Sequence, residues 1–443
     1  MTGLFQRFAS FGLLAVALAA CSSQETILPG ERIAVIADDT ADLVVDNAAA
    51  AEGPGLTAAI ANSIFFAPGQ NPSHSGGHFM VAAPLKRAFS VDVGVSAELG
   101  TEMAQPVANA NAVFTITPGG VVKAVSSQNG DLIWEYDLDP SEDDSQLSGT
   151  GGIALASTNR GEELYVHANK DVLVALNADN GQEKWRVEFD VFLTGGPSAA
   201  NGAVVVTDLD GRVFVLSDID GGELWNRIGA QDETGIVGSA SPAIFGNELI
   251  NVGSDGELLS LSLEQGEFLW GENLTPIELR TAIDGIPDIR AHPVHDGGMV
   301  FIISHSGKLL AFNAQTGRVI WDQPLQGIEM PWLSGQTLFV TTVDGRIYAL
   351  RRNDGAIRWV TELPGAYDPS LSVVEDAPSY TSVVVASEKV IVASSTGQLH
   401  VLNANTGQIE DSLSTSGAVT TAPIIANSTI FVINRSGELV AFR

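Results

Sequence analysis

A chain of 443 residues, 45% of them apolar, has material for a large core, and its single cysteine, Cys21, excludes any intrachain disulfide. The net charge of −31, from 22 basic and 53 acidic residues, excludes a surface that gathers nucleic acid or anionic headgroups by charge. The 46 glycines, set between β-branched runs, predict many short strands and turns.

The chain opens on Arg7 and an apolar run of 13 residues, Phe8 to Ala20. That length suits the core of a signal peptide and is too short to span a bilayer. The run ends in Leu18-Ala19-Ala20-Cys21, which resembles a bacterial lipobox. Small residues before the cut suit a signal peptidase, and the sole cysteine directly after it suits lipidation. Residues 1–20 are therefore expected to be a lipoprotein signal peptide and Cys21 the lipid-bearing residue. Ser22 follows rather than Asp, which by resemblance to enterobacterial sorting implies the outer membrane. Residues 21–82 are expected to be a flexible acidic and Ala-rich neck with a lead-in. Asp38 to Ala61 reads as a tether with one weak helix, interrupted by Gly53-Pro54-Gly55. Ser63 to Ala82, with His74 and His78, reads as irregular chain.

From residue 83 onward one unit recurs. A polar residue opens a tight turn, a Gly closes it, and a Trp follows four residues later, as in Asn313-Ala-Gln-Thr-Gly-Arg-Val-Ile-Trp321. The glycines are Gly130, Gly181, Gly221, Gly266, Gly317, Gly355 and Gly407, with spacings of 51, 40, 45, 51, 38 and 52. The residues four further on are Trp134, Trp185, Trp225, Trp270, Trp321 and Trp359, then Asp411. A period near 46 is the mark of a repeat architecture. Each unit reads as four short antiparallel strands, A to D, with the Gly closing the C–D turn where φ > 0 is needed. There are eight C strands, from Gly120-Val-Val-Lys-Ala-Val125 to Gly437-Glu-Leu-Val-Ala-Phe442, but seven C–D turns. The orphan stretch Leu85 to Gly94, with Phe89 where the other copies carry Trp, supplies the missing strand. The expectation is an all-β, eight-bladed β-propeller over 83–443, its ring closed by an N-terminal strand in the C-terminal blade. Because the tryptophans recur in blade after blade, they read as wedges between blades and not as a ligand cage.

These repeats resemble the pyrroloquinoline-quinone-type propeller repeat. Quinoprotein dehydrogenases of that type hold a quinone and Ca²⁺, but the vicinal cysteine pair many of them use is absent here, as is their extra length. The chain is more similar to the BamB-type lipoproteins of the outer-membrane β-barrel assembly machine, through 83–443, the lipobox and the Leu28-Pro-Gly-Glu-Arg-Ile33 stretch of the neck. That resemblance implies a non-catalytic scaffold without cofactor or bound metal. It would be lipid-anchored at the periplasmic face of the outer membrane, would bind the barrel-inserting subunit and could receive nascent outer-membrane strands. Such rings leave strand edges that an incoming strand can augment. Two family loops that contact the barrel-inserting subunit map onto Thr234–Ala243 and Pro287–Val294. Ile236 keeps an apolar residue and Val237 stands where the family has Arg. Asp288 matches the first acid and Arg290 replaces the second. Ile236, Val237, Asp288 and Arg290 are the candidate partner-binding residues. A quinone-dependent dehydrogenase and an adaptor propeller with another envelope partner remain the alternatives.

Other motifs lack context. Gly149-Thr-Gly-Gly-Ile-Ala154 is not preceded by a strand and followed by a helix. His292 and His295, three apart on an extended segment, point to opposite faces. The acidic run Asp137 to Asp144 lacks the glycine and final glutamate of an EF-hand loop and reads as solvated. Trp332 lies outside the repeat and reads as core or as a local cap.

Overall fold

The repeat folds, in a computed structural model of the protein, into eight four-stranded antiparallel sheets, the blades of an eight-bladed propeller. The structure describes residues 43–94, 103–138, 151–168, 171–208, 211–228, 240–253, 256–274, 289–366 and 377–443. Thr40–Arg443 form one compact unit. In chain order the innermost strands of blades 1 to 8 are Val107–Ala108, Gly152–Thr158, Leu193–Ala200, Ala243–Phe245, Val294–His295, Trp332–Ser334, Val384–Ala386 and Ile424–Ala426. The two middle strands of each blade are buried almost throughout, as in Thr337–Thr341 and Arg346–Arg351, because each is covered by a neighbouring blade on both faces.

The joint between blades is the Trp of one outer strand set against the C–D turn of the next blade. Each turn glycine sits at φ between +66° and +79°. A Cβ on Gly181 would lie 2.6 Å from the Trp134 ring, and one on Gly317 2.7 Å from Trp270. The glycine is therefore required twice, by backbone conformation and by the indole lying flat on it. Each indole N–H also donates to the carbonyl three residues before that glycine: Trp134 to Ala178, Trp185 to Asp218, Trp225 to Leu263, Trp270 to Ala314, Trp321 to Arg352 and Trp359 to Ala404, at 2.6–3.1 Å. The buried turn carbonyl is thereby satisfied by the blade behind it.

The ring closes as the strand count predicts. Arg87–Asp92 pairs with Glu438–Phe442 as the outer strand of blade 8. Phe89 lies opposite Ala441, the place each Trp takes in its own blade, and packs against Gly130 of blade 1. Phenylalanine has no N–H for the Ser127 carbonyl, and Arg443 supplies it: its Nη2 donates to Ser127 O at 2.7 Å and Gln128 O at 2.8 Å, with the guanidinium 5.8 Å from the centre of the Phe89 ring. Phe89 and Arg443 together do what one tryptophan does elsewhere. Asp411 follows from the same geometry. It occupies the Trp position of blade 7, but blade 8 is assembled from two separate stretches of chain and has no C–D turn to cover, so the side chain is exposed.

Residues 43–82, expected to be a flexible neck and lead-in, are folded onto the ring over the part described. A short helix α1 (Asn47–Ala51), capped by the Asp46 side chain, lies on the outer strand of blade 6. The segment 60–80 then makes a loop whose ends pair, Ile60 N to His78 O at 2.9 Å and Met80 N to Ile60 O at 2.8 Å. The neck reading missed this because the loop has no strand or helix period. Its aromatic residues Phe65 and Phe79 are fully buried.

Truncating an inter-blade indole removes the packing and strands the turn carbonyl, so Trp359→Ala should cost about 3–5 kcal/mol. Arg443→Ala should cost about 1–2 kcal/mol, from three hydrogen bonds and a cation–π contact. Asp411→Ala should stay within about 0.5 kcal/mol of the parent. Urea unfolding midpoints of the three variants check the order.

Candidate functional site: the axial channel

Innermost strands of a propeller present open inner edges to the axis. Here the 60–80 loop covers those edges, meeting the blades in ring order. Asn62 bonds Ile425 O and Asn427 N of blade 8, and Phe65 pairs with Ala108 of blade 1. Phe66 O accepts from Leu155 N of blade 2, Pro72 O from Ile244 N of blade 4, and Ser73 O from His295 N of blade 5. Gly77 O accepts from the Trp332 indole of blade 6 at 2.9 Å, and Phe79 bonds Val385 and Ser387 of blade 7. Trp332 is thus a core cap, edge-on to Phe79. The loop is a collar inside the ring, fastened by backbone groups that would otherwise face a channel unpaired.

Against the collar lies a cavity of about 140 Å³, with Pro68 among its lining residues. It is walled by the chain just before or within the innermost strands: Gln105 at blade 1, Gly152 at blade 2, His292 at blade 5, Met330 at blade 6, Ser382 at blade 7 and Thr421 at blade 8. A second lobe of about 140 Å³ runs toward Tyr380 and Thr341, and Arg290, Ile328, Glu329 and Thr420 line both. Glu329 accepts from Ser382 N at 2.7 Å and Ser382 Oγ at 3.0 Å. A guanidinium and a carboxylate therefore share the cavity wall with hydroxyls, among them the buried Thr421 Oγ1 and Thr341 Oγ1, which have no hydrogen-bond partner among the described residues.

Two histidines join collar and ring. His74, fully buried at φ +57°, donates from Nδ1 to Pro293 O at 2.9 Å, while its Nε2 has no partner among the described residues. His292 accepts from Ser241 N at its Nδ1, 2.7 Å away, and meets His74 edge-on with ring centres 5.5 Å apart. Burial pushes His74 down to about 4. Burial, then the neighbouring His74 and Arg290 charges, pushes His292 down to about 3. His295 turns the other way, stacked on Phe245 with its Nε2 2.9 Å from the Glu248 carboxylate. Alternation along the extended chain separates the two imidazoles, as the spacing requires.

Of the residues singled out from sequence, Arg290 and His292 reach this cavity, and the six repeat tryptophans lie at the blade joints. Ile236, Val237, Asp288 and Cys21 fall outside the described residues. His74, Glu329 and Ser382 were not found from sequence. They come from the collar and two different blades, and no local pattern connects them.

A family model described as outer membrane protein assembly factor BamB matches residues 118–361 and 371–443. Among similar proteins, the outer membrane protein assembly factor BamB of Yersinia pestis is 26% identical over 342 residues, 76% of this chain and 84% of its own. That of Shewanella oneidensis is 24% identical over 338 residues, 75% of this chain and 82% of its own. Among solved structures, BamB from Moraxella catarrhalis superposes with a TM-score of 0.66 at 20% identity, covering 81% of this chain and 99% of that one. A quinohemoprotein alcohol dehydrogenase from Pseudomonas putida HK5 superposes at 0.60 and 15% identity, covering 90% and 82%. Likeness at these identities is likeness of fold.

The histidines set a pH dependence. His74 and His292, with folded values below the ordinary 6.5, favour the neutral form in the fold. Their contribution is complete above about pH 6.5 and is lost as pH falls toward the folded values, because the unfolded chain takes up the protons first. Stability should fall by about 1–2 kcal/mol per histidine between pH 7 and pH 5. His74→Asn, a residue that tolerates positive φ, should flatten part of that slope. Melting temperatures across this range, with and without the substitution, measure it.

Proposed function

The chain belongs to the outer membrane protein assembly factor BamB family, and from that premise we propose that it is a non-catalytic scaffold of the outer-membrane β-barrel assembly complex. In this reading residues 1–20 are removed, Cys21 carries lipid, and the ring works at the periplasmic face of the outer membrane. The partner is the barrel-inserting subunit. It is met by the connections that lead into the innermost strands of blades 4 and 5, with Ile236, Val237, Asp288 and Arg290 as contacts. Nascent outer-membrane strands are the second class of client.

The observation that supports this best is the place of Arg290. It lines the axial cavity, as Glu329 does, while the collar lies across the inner strand edges. Arg290 stands where the family has an acid, so a charged group of the barrel-inserting subunit that meets it is an acid and not a base. The likeness to quinohemoprotein dehydrogenases is one of fold and does not carry their activity.

A tag on the mature chain should recover the barrel-inserting subunit under mild detergent, and photo-crosslinkers placed at residues 236 and 288 in intact cells should join the same protein. Arg290→Glu should lower that recovery by about tenfold, the loss of one charge-assisted contact and its replacement by repulsion. Recovery of a different envelope protein at the same crosslinking positions would favour the adaptor alternative.

A further inference from the structure

The outer rim of the ring carries a second surface, and blade 6 shows what it accepts. In blades 1 to 7 the outer strand has a register shift at the residue just before the Trp position. A bulge at that place breaks the ladder that an added strand would need. On blade 6 this chain's own residues 46–53 cover the bulge. Asp46 N donates to Ile357 O at 2.9 Å, α1 lays the buried Ala49 against the strand, and Arg358 Nη1 donates to the carbonyls of Ala49, at 2.7 Å, and Gly53. Ile357 and Arg358 are consequently 3% and 4% exposed.

The same two positions on blades 4 and 5 are Phe268–Leu269 and Val319–Ile320, exposed by 55, 50, 49 and 46%. They are large, apolar and uncovered; Leu132–Ile133 of blade 1 is a third such pair, 57 and 47% exposed, and blades 4 and 5 are the two successive blades that carry one, in a chain of net charge −31. The exposed Glu267, Glu272 and Asp322 lie beside them. Scattered apolar residues on a surface are ordinary, but paired ones repeated at a site already used once by the chain itself are not.

We infer that the rim of blades 4 and 5 is a docking surface for a short amphipathic helix of another polypeptide. The helix is seated side-on as α1 is on blade 6, with its apolar face on Leu269 and Ile320 and basic residues toward Glu272 and Asp322. The apolar side chains replace Arg358, so the occupant meets them with its own apolar face instead of with helix carbonyls. This surface is separate from Arg290 and does not depend on the function proposed above.

The probe is a labelled synthetic peptide of residues 43–56 carrying Glu52→Lys, which loses the Arg351 contact of blade 6 and gains attraction for the acidic rim. Fluorescence anisotropy with the full chain should give saturable binding, weakened at least tenfold by Leu269→Glu with Ile320→Glu and unchanged by Asp411→Ala. The substituted side chains are half-exposed, and an unaltered melting temperature confirms the fold. Equal binding by the double variant, or no saturable binding, overturns the proposal. So does equal binding of the same peptide with Ala49→Pro, which would indicate an extended occupant. Self-association of the parent chain in sedimentation that the double variant abolishes would make a second copy the occupant and would also overturn it.

Discussion

An indole lying on a glycine turn is the contact on which the whole ring depends. It joins each blade to the next, fixes the angle between them, and satisfies a turn carbonyl that would otherwise be buried without a donor. A blade alone is a twisted sheet with two apolar faces and no partner. The couple lets eight of them stack around an axis with both faces covered. Its exceptions are informative. Where the chain supplies Phe89, a guanidinium from Arg443 replaces the missing N–H. Where the next blade has no turn, the tryptophan gives way to Asp411, which faces solvent. The repeat is thus accounted for by packing and by the turn hydrogen bond.

Two sets of edges remain once the blades are stacked, and the molecule treats them differently. The inner edges face an axial channel. A collar drawn from the chain ahead of the first blade hydrogen-bonds to seven of the eight blades, and it leaves a polar cavity lined by both Arg290 and Glu329. The outer edges face solvent and are interrupted by a bulge in blade after blade, which protects them from pairing with other strands. On blade 6 the chain covers its own rim with α1. The collar also places buried imidazoles between itself and the ring, so the seam between the two is one place where acid acts on the fold, as the buried His167 between blades 2 and 3 is another.

The sequence by itself determined the repeat. Glycines at the C–D turns, tryptophans four residues on, eight C strands with seven turns, and Phe89 in the orphan strand are sufficient to count the blades and to find the closing strand. These features are local or periodic, and each has a single physical reading: positive φ, alternation, and a wedge of fixed size. The separation of His292 from His295 was legible for the same reason, since alternation along a strand is local.

Only the tertiary structure decided the collar, the cavity and the partners of the special residues. The 60–80 loop takes its shape from seven blades in turn, so no period betrays it; its buried phenylalanines were the one trace that an exposed tether would not carry. Arg290 could be named from its loop, but that it shares a wall with Glu329 follows from bringing blades 5 and 6 together around an axis. Arg443 could not be matched to Ser127, because the two are 316 residues apart and meet only when the ring closes. Periodic packing is written along the chain, whereas a site made of single residues from many blades exists only after closure has set their distances.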